Sequence, residues 1–597
     1  MKKYYGFALL ALCLSASLAW GKPVPEWDST RYIRVDEVRK DMPAYCLTVL
    51  EGEKTEKFDM KVLSILKNAT PGRDMILVIG TDERFKHIGS VHGCSGSPVY
   101  IDGRMAGALS AGWDGALDPL YMVTPIEYML AVDRGLDKTD TKTASSLQTM
   151  SCVETSSPLD IHAIRQKAEE MVEKSFLSGT QLPLATNLSA RVCQKISDTF
   201  KSVGLVALQA GADMGTSSDT TIEPGGVLAL PVCSGDIRMA VIGTATEVVD
   251  GKVYAFGHAF TGMGAVELPM SAGTVHTVIV TRDASFKLAS AGPVVGTLRF
   301  DRTSGVVGQI GQMPALIDLE IKVKRFDDPQ ERTFQCKIAK DRQLTPLILR
   351  SAIMGAALNQ GDLPPEHNVR YRCDMTLENG YAIHFGDISS GASVMEPAMN
   401  LFALTAALMN NPFQSLPPRK INLAIDIQPE NRAAALWEAR IFNAVAKPGD
   451  TVRMCVAVKE FRSEPKEFWV DVPIPSDCPE GKYALQICGI DAYQNFLLKT
   501  APQRFMVTDA KSLLEGLEKV LNIPGDRIYV CMPLTPSGIS IRNIELADLP
   551  PSKAALLTES KRLLPTIPFQ NFIETSVGTG LVLSGTAAVE LTIDKNP

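Results

Sequence analysis

Histidine is scarce in this chain, with seven in 597 residues, and tryptophan scarcer, with five. No H-E-x-x-H, C-x-x-C, Walker loop or G-x-G-x-x-G occurs. Zinc-protease, zinc-ribbon, thioredoxin, NTPase and dinucleotide chemistry therefore have no motif to stand on, and no cofactor or metal is called for. There is no excess of positive charge. The net charge is −7, which leaves no electrostatic footprint for nucleic acid. Beyond the first twenty residues no run is apolar enough to span a bilayer. Disorder is not indicated either: hydrophobic residues make up 45% and charged residues 21%, which is ordinary globular usage. At roughly 100–200 residues per domain the length predicts three or four domains.

The N-terminus has the form of a targeting segment. Lys2 and Lys3 precede an apolar run from Phe7 to Trp20, with small residues at cleavage spacing around Ala19 and Gly21. This predicts a signal peptide over 1–21 and an exported protein, periplasmic or extracellular. Loss of Lys2 and Lys3 would leave a charge of about −9. Eleven cysteines follow Cys13, an odd number, so at least one thiol stays free whatever the pairing.

Strands dominate the rest. Phe58, Met60 and Val62 alternate with charged residues, the period of a half-buried strand, and Met75 to Ile79 is a continuous apolar run. Three hairpins are marked by Asp102-Gly103, Asp250-Gly251 and Asn379-Gly380, pairs that tolerate positive φ. Ile161, Ile164, Ala168, Met171 and Val172 fall on one helical face. Further helices are expected over 347–358 and 395–409, and a stripe of Leu513, Leu514, Leu517, Val520 and Leu521 marks another. From 425 to 510 the alternation of Val452, Met454, Val456 and Val458, then Phe468, Val470 and Val472, predicts a β-sandwich-like module.

Two short stretches carry chemistry. Gly93-Cys94-Ser95-Gly96-Ser97-Pro98 is a tight turn between strands. Glycines on either side let the backbone bend and expose the Ser95 hydroxyl, and the same bend aims the Gly93 and Ser95 amides at a developing oxyanion. Ser97 is the weaker nucleophile, because Pro98 restricts its backbone. A plain turn is the bland alternative. The second stretch is Tyr254 to Phe260, where His258 ends an apolar strand ahead of a glycine-rich loop and presents a general base. A structural histidine is the bland alternative there. Other candidate bases are His87 and His92, the latter expected to turn its ring away from Ser95.

Taken together the two stretches resemble the SpoIVB peptidase family of serine peptidases. The family's G-M-S-G-S-P motif, apolar strand and D/N-G turn are similar to Gly93–Pro98, Val99-Tyr100-Ile101 and Asp102-Gly103. Its G-H turn resembles Gly257-His258, and its T-D-P-R segment resembles Thr81-Asp82-Glu83-Arg84. The resemblance covers roughly 35–135 and 235–312. It implies a catalytic set of Ser95, His258 and Asp82, with Asp82 orienting the imidazole. There are departures: Ser95 comes 163 residues before His258, the reverse of the family's order, and Asp82 stands two residues nearer the serine. Convergent triads show that chain order is immaterial when geometry is kept. No PDZ domain is visible.

The expected architecture is mainly β. Residues 22–150 and 200–345 would form the serine-bearing and histidine-bearing halves of a trypsin-like double β-barrel, joined by a helical connector at 151–199. A mixed α/β connector at 346–424, the sandwich at 425–510 and an α/β segment at 511–597 would follow. The expected activity is that of an exported serine endopeptidase cleaving protein or peptide substrates, itself included. An envelope protein could dock on the C-terminal region. The alternative is a catalytically inactive scaffold that binds envelope proteins.

Overall fold

Alternation closes the first barrel. Phe58, Met60, Val62, Ile76 and Val78 point inward and are fully or nearly fully buried, while Lys57, Asp59 and Lys61 are exposed and Leu77 and Ile79 half-buried, as the pleat requires. The computed structural model describes residues 27–134, 151–175, 181–201, 203–210, 221–282, 284–358, 361–391, 395–535, 538–541, 544–547, 549–558 and 566–596. The signal segment expected at 1–21 lies outside these. The strands are β1 (Pro43–Thr48), β2 (Glu56–Thr70), β3 (Arg73–Gly80), β4 (Val91–His92), β5 (Pro98–Ile101), β6 (Arg104–Gly112) and β7 (Leu120–Pro125). They pair in the order β1-β2-β3-β7-β6-β5 and return to β1, a closed six-stranded barrel. The run Met75–Ile79 is thus a barrel strand with one inner face, not a strand buried on both sides.

A second ring follows. After β8 (Leu182–Thr186) and β9 (Leu205–Gln209) come β10 (Val227–Gly235), β11 (Met239–Val249), β12 (Lys252–Ala255), β13 (Gly264–Ile279), β14 (Ser285–Arg302) and β15 (Gly305–Ile310). They pair β10-β13-β14-β15-β12-β11, and β11 pairs again with β10, which completes the circuit. The hairpins form at the expected turns: Ile101 lies opposite Arg104 and Val249 opposite Lys252, with Asp102 and Asp250 at φ 51° and 54°. The two rings are stitched by β4, whose Val91 and His92 pair in parallel with Ser285 and Phe286 of β14.

Beyond the second ring the sheet runs on through β17 (Arg332–Ala339), β16 (Leu316–Arg325), β20 (Pro418–Gln428), β18 (Asn368–Leu377) and β19 (Ala382–Ser390). Helices Leu344–Leu358 and Met395–Met409 appear where the sequence places them and are buried almost throughout. They pack on each other, with helix Ile161–Ser175 against the second and Ala190–Lys201 against the first. These elements share one large apolar core with the second barrel.

The sandwich is real but its boundaries differ from those expected. One sheet orders Lys466–Pro473, Thr451–Glu460, Ala433–Ile441 and Val582–Ser584; the other orders Val445–Ala446, Thr586–Ile593, Gly481–Cys488, Arg527–Pro533 and Phe572–Gly578. Strands from beyond residue 510 therefore complete it. The inward positions explain why: Met454, Val456 and Leu485 are fully buried in one cluster with Val530 and Leu591, which come from those later strands. Local alternation reports that a strand has an inner face, and long-range pairing decides what covers it.

Candidate active site at the seam of two barrels

Ser95 sits on a turn with little freedom. Gly93 and Gly96 have φ of +95° and +99°. A Cβ on Gly96 would stand 1.9 Å from the Thr244 carbonyl oxygen and 2.6 Å from the Phe256 amide nitrogen, both on the second barrel. Only glycine allows that approach. The turn's carbonyls are then pinned from the same side. Thr244 Oγ1 donates to Gly93 O at 2.8 Å, Thr244 N to Ser95 O at 2.9 Å and Thr246 Oγ1 to Gly96 O at 2.7 Å. From the first barrel, Leu109 O accepts from Gly96 N at 2.7 Å. Among the described residues, neither the Gly93 nor the Ser95 amide donates a hydrogen bond.

Below the turn lies Lys287, fully buried, with Nζ donating to Thr48 Oγ1 at 2.8 Å and Thr244 Oγ1 at 3.1 Å. Ser97 Oγ donates to the same Thr48 hydroxyl at 2.9 Å. Burial pushes the Lys287 ammonium below the ordinary lysine range. Ser97 is thus a structural hydroxyl. Ser95 is 8% exposed and opens onto a cavity of about 380 Å³, whose lining includes His92, Ser110, Trp113, Asp114 and Tyr121.

His258 is 9% exposed and stands on a turn in which Phe256 and Gly257 have φ of +68° and +70°. Gly257 O accepts from Thr124 Oγ1 of β7 at 2.6 Å, and a Cβ on Gly257 would come 3.3 Å from Leu109 O, the acceptor of the Gly96 amide. The structure therefore brings the serine and histidine turns to one seam. The ring pairs Nδ1 with Ala259 O at 2.7 Å. A carbonyl only accepts, so Nδ1 carries the proton and Nε2 keeps its lone pair. Nε2 is buried and has no hydrogen-bond partner among the described residues, Ser95 included. Burial lowers the imidazole to about 4; the Ala259 carbonyl opposes this and His92 adds a smaller push the same way. The ring is neutral at neutral pH.

Asp82 is placed after β3, at the start of a short helix. It caps helix Glu83–Ile88, accepting from Arg84 N at 2.9 Å, and pairs with Arg84 Nε at 3.2 Å. Arg84 holds its carboxyl below the ordinary range. The expected hydrogen bond from the His258 ring to the Asp82 carboxylate is not made: Nδ1 donates to Ala259 O instead. His87 is exposed on that same helix. His92 gives neither ring nitrogen to Ser95. It lines the Ser95 cavity, with Nδ1 to Gln181 O at 2.7 Å, Nε2 to Asp114 at 2.9 Å and its ring stacked on Phe286, so both nitrogens are engaged.

Two groups escaped the sequence reading. Asp301, fully buried in β14, accepts from Phe260 N, Thr261 N, Thr261 Oγ1 and Gly262 N at 2.5–2.9 Å and so fixes the loop that leaves His258. Burial raises its carboxyl above the ordinary range, against the pull of those four bonds. The Thr244 and Thr246 hydroxyls hold the serine turn. A charged or polar residue facing inward on an apolar strand is the signal for both, and many inward polar residues serve only packing.

The fold defines a double β-barrel protein whose seam carries both the turn of Ser95 and the turn of a neutral His258. Residues 26–113 match the family model described as SpoIVB peptidase S55. That match spans β1 to β6 with the serine turn and points to a serine peptidase, whose substrates are proteins. No curated protein matches the chain. Among the described residues no helix is long and apolar enough to cross a membrane.

Proposed function

We propose that the protein is an exported serine endopeptidase whose nucleophile is Ser95. The observation that carries this reading is the buried, unpaired lone pair of His258 Nε2 on the turn that abuts Gly96. A neutral imidazole with its other nitrogen already fixed is a base waiting for a hydroxyl proton. In the reaction Ser95 Oγ attacks a peptide carbonyl as Nε2 takes its proton. The Gly93 and Ser95 amides receive the oxyanion, and the imidazolium returns the proton to the leaving amine. Water then repeats the cycle on the acyl-enzyme. The Ala259 carbonyl holds the tautomer, and Asp301 holds the loop that carries it. Export follows from the Lys2-Lys3 and apolar pattern of the first twenty residues.

A catalytically silent scaffold that binds envelope proteins is the second reading, and one observation favours it: Ser95 and His258 are not hydrogen-bonded to each other. A fluorophosphonate probe separates the two. The peptidase labels on Ser95, loses labelling in Ser95→Ala and loses most of it in His258→Ala. Folded full-length protein that takes no label, and cleaves neither itself nor unfolded protein, is the scaffold.

A further inference from the structure

The outer face of the sandwich carries aromatic rings that its core does not use. In the four-stranded sheet, Thr451–Glu460 lies between Lys466–Pro473 and Ala433–Ile441. Alternation assigns the two faces. Met454, Val456 and Val458 are buried in the module's core, so Arg453, Cys455, Ala457 and Lys459 point outward. Register then sets Trp469 and Arg440 on either side of Cys455, Glu467 and Glu438 on either side of Ala457, and Asp471 beside Arg453. The register shifts between Leu436 and Glu438, which makes Trp437 the extra residue of a bulge. The Lys459 ammonium stands 4.4 Å from the Trp437 ring centroid and so puts that ring on the outward face too. Phe442, just past the end of its strand, stacks on Trp469 across the central strand, with centroids 5.3 Å apart.

Trp437, Phe442 and Trp469 are 61%, 70% and 51% exposed. Large rings gathered on one solvent-facing sheet mark a binding surface. Its chemistry selects the occupant. Among the described residues of the two sandwich sheets, no Leu, Ile, Val or Met is prominently exposed; the exposed large apolar side chains are aromatic. The face therefore offers π-surfaces rather than a hydrocarbon wedge. Its charges cancel. Arg440 pairs with Glu467 at 2.8 Å and Glu438 at 3.5 Å, Arg453 pairs with Asp471 at 2.8 Å, and Lys459 lies over Trp437. With Arg440, Arg453 and Lys459 set against Glu438, Glu467 and Asp471, no net field draws a phosphate polymer or an anionic lipid surface. The complement of this face is an uncharged ligand with flat C–H surfaces and many hydroxyls. Weakly positive C–H groups lie on electron-rich ring faces, while guanidinium donors and carboxylate acceptors serve hydroxyls that both give and take hydrogen bonds. An extended sugar chain supplies both, and β-1,4-linked pyranoses form the flat ribbon that a sheet face admits.

We propose that this face is a glycan-binding platform whose occupant is an extended β-1,4-linked polysaccharide strand. One sugar ring stacks on the Phe442–Trp469 pair and another on Trp437, one outward row away, about 7 Å along the strands. The Arg440–Glu467 pair spans these two rows and meets the hydroxyls between the stacked rings. The platform is independent of Ser95 and holds the chain on a polymer whatever the barrels do.

Calorimetric titration of the full-length chain with cellohexaose and with chitohexaose tests this. Maltohexaose, which has the composition of cellohexaose in a coiled α-linked chain, is the control. Saturable binding of at least one β-linked probe is expected, at least about tenfold tighter than maltohexaose, and nearly unchanged when salt rises from about 0.05 to 0.5 M because no ion pair with the ligand is screened. Trp469→Ala and Trp437→Ala should each weaken binding at least about tenfold. Leu556→Ala, at an exposed apolar residue outside the sandwich, should leave it unchanged. Ser95→Ala should bind like wild type, so loss of the peptidase reading would not touch this one. Phe442→Ala replaces either tryptophan variant that fails to fold. The proposal is overturned if neither β-linked probe binds, if maltohexaose binds as tightly, or if the aromatic variants bind like wild type. It is also overturned if wild type sediments as a dimer that Trp469→Ala dissolves, since the face then joins two copies of the chain.

Discussion

The protonation of His258 gives a quantitative test of the seam. Burial lowers its imidazole from 6.5 to about 4. In the unfolded chain the same ring takes its proton near 6.5. Between those values the unfolded state binds a proton that the folded state refuses, so stability falls as the pH drops from about 6.5 to 4 and levels off below. At 1.36 kcal/mol per pH unit the loss is on the order of 3 kcal/mol. His258→Gln keeps the volume and polarity but cannot titrate. Urea unfolding of both proteins, from pH 7.5 down to 3.5, should show wild type losing about 3 kcal/mol more than the variant in the transition that involves the barrels. Proton titration of the ring by NMR should place the inflection near 4, with the His258 resonance identified by its absence from the variant. As the general base, His258 should also set an acid limb of kcat/KM near 4 rather than near 6.5. A ring that titrates at 6.5, or equal pH dependence in the two proteins, would refute the buried neutral histidine.

Three further outcomes follow from single contacts. Gly96→Ala places a Cβ 1.9 Å from the backbone oxygen of Thr244 at a φ of +99°, so it should cost more than about 3 kcal/mol in urea or fail to yield soluble protein; a cost under about 0.5 kcal/mol would mean the two barrels are not locked at this turn. Asp301→Asn turns an acceptor of four hydrogen bonds into a group whose NH2 faces other donors, and thermal melting should show a loss of about 2–4 kcal/mol together with slower labelling of Ser95. Asp82→Ala removes a helix cap worth about 1 kcal/mol. Its Ser95 labelling rate should stay within about twofold of wild type, because Ala259 rather than Asp82 holds the imidazole; a hundredfold loss would restore the aspartate to the catalytic set.

Period and turn chemistry made most elements legible without coordinates. Asp102-Gly103 and Asp250-Gly251 form hairpins where they stand, because a two-residue turn with positive φ is a local demand met by local residues. Helices Leu344–Leu358 and Met395–Met409 were equally readable, since a long apolar segment with few strand formers has one economical conformation. Ser95, Gly93 and His258 were visible as candidates for the same reason: a glycine-flanked serine and a lone histidine beside a glycine are local signals.

What the chain order concealed is which groups meet. Asp82 shares a four-residue segment with Arg84, and a carboxylate at a helix start binds its own helix N-terminus and the nearest guanidinium before anything distant. Thr244, Thr246, Lys287 and Asp301 lie on strands about 150 to 200 residues beyond the serine turn, and they reach the two turns only once the second ring has closed. The sandwich likewise drew strands from beyond residue 510, because an apolar strand face is satisfied by any strand of the right register. Sequence by itself determined the mainly β character, the turns, the helices and the serine and histidine as residues of interest. Only the tertiary structure decided their partners, because hydrogen bonds and burial are set by distance in space, which a one-dimensional pattern does not encode.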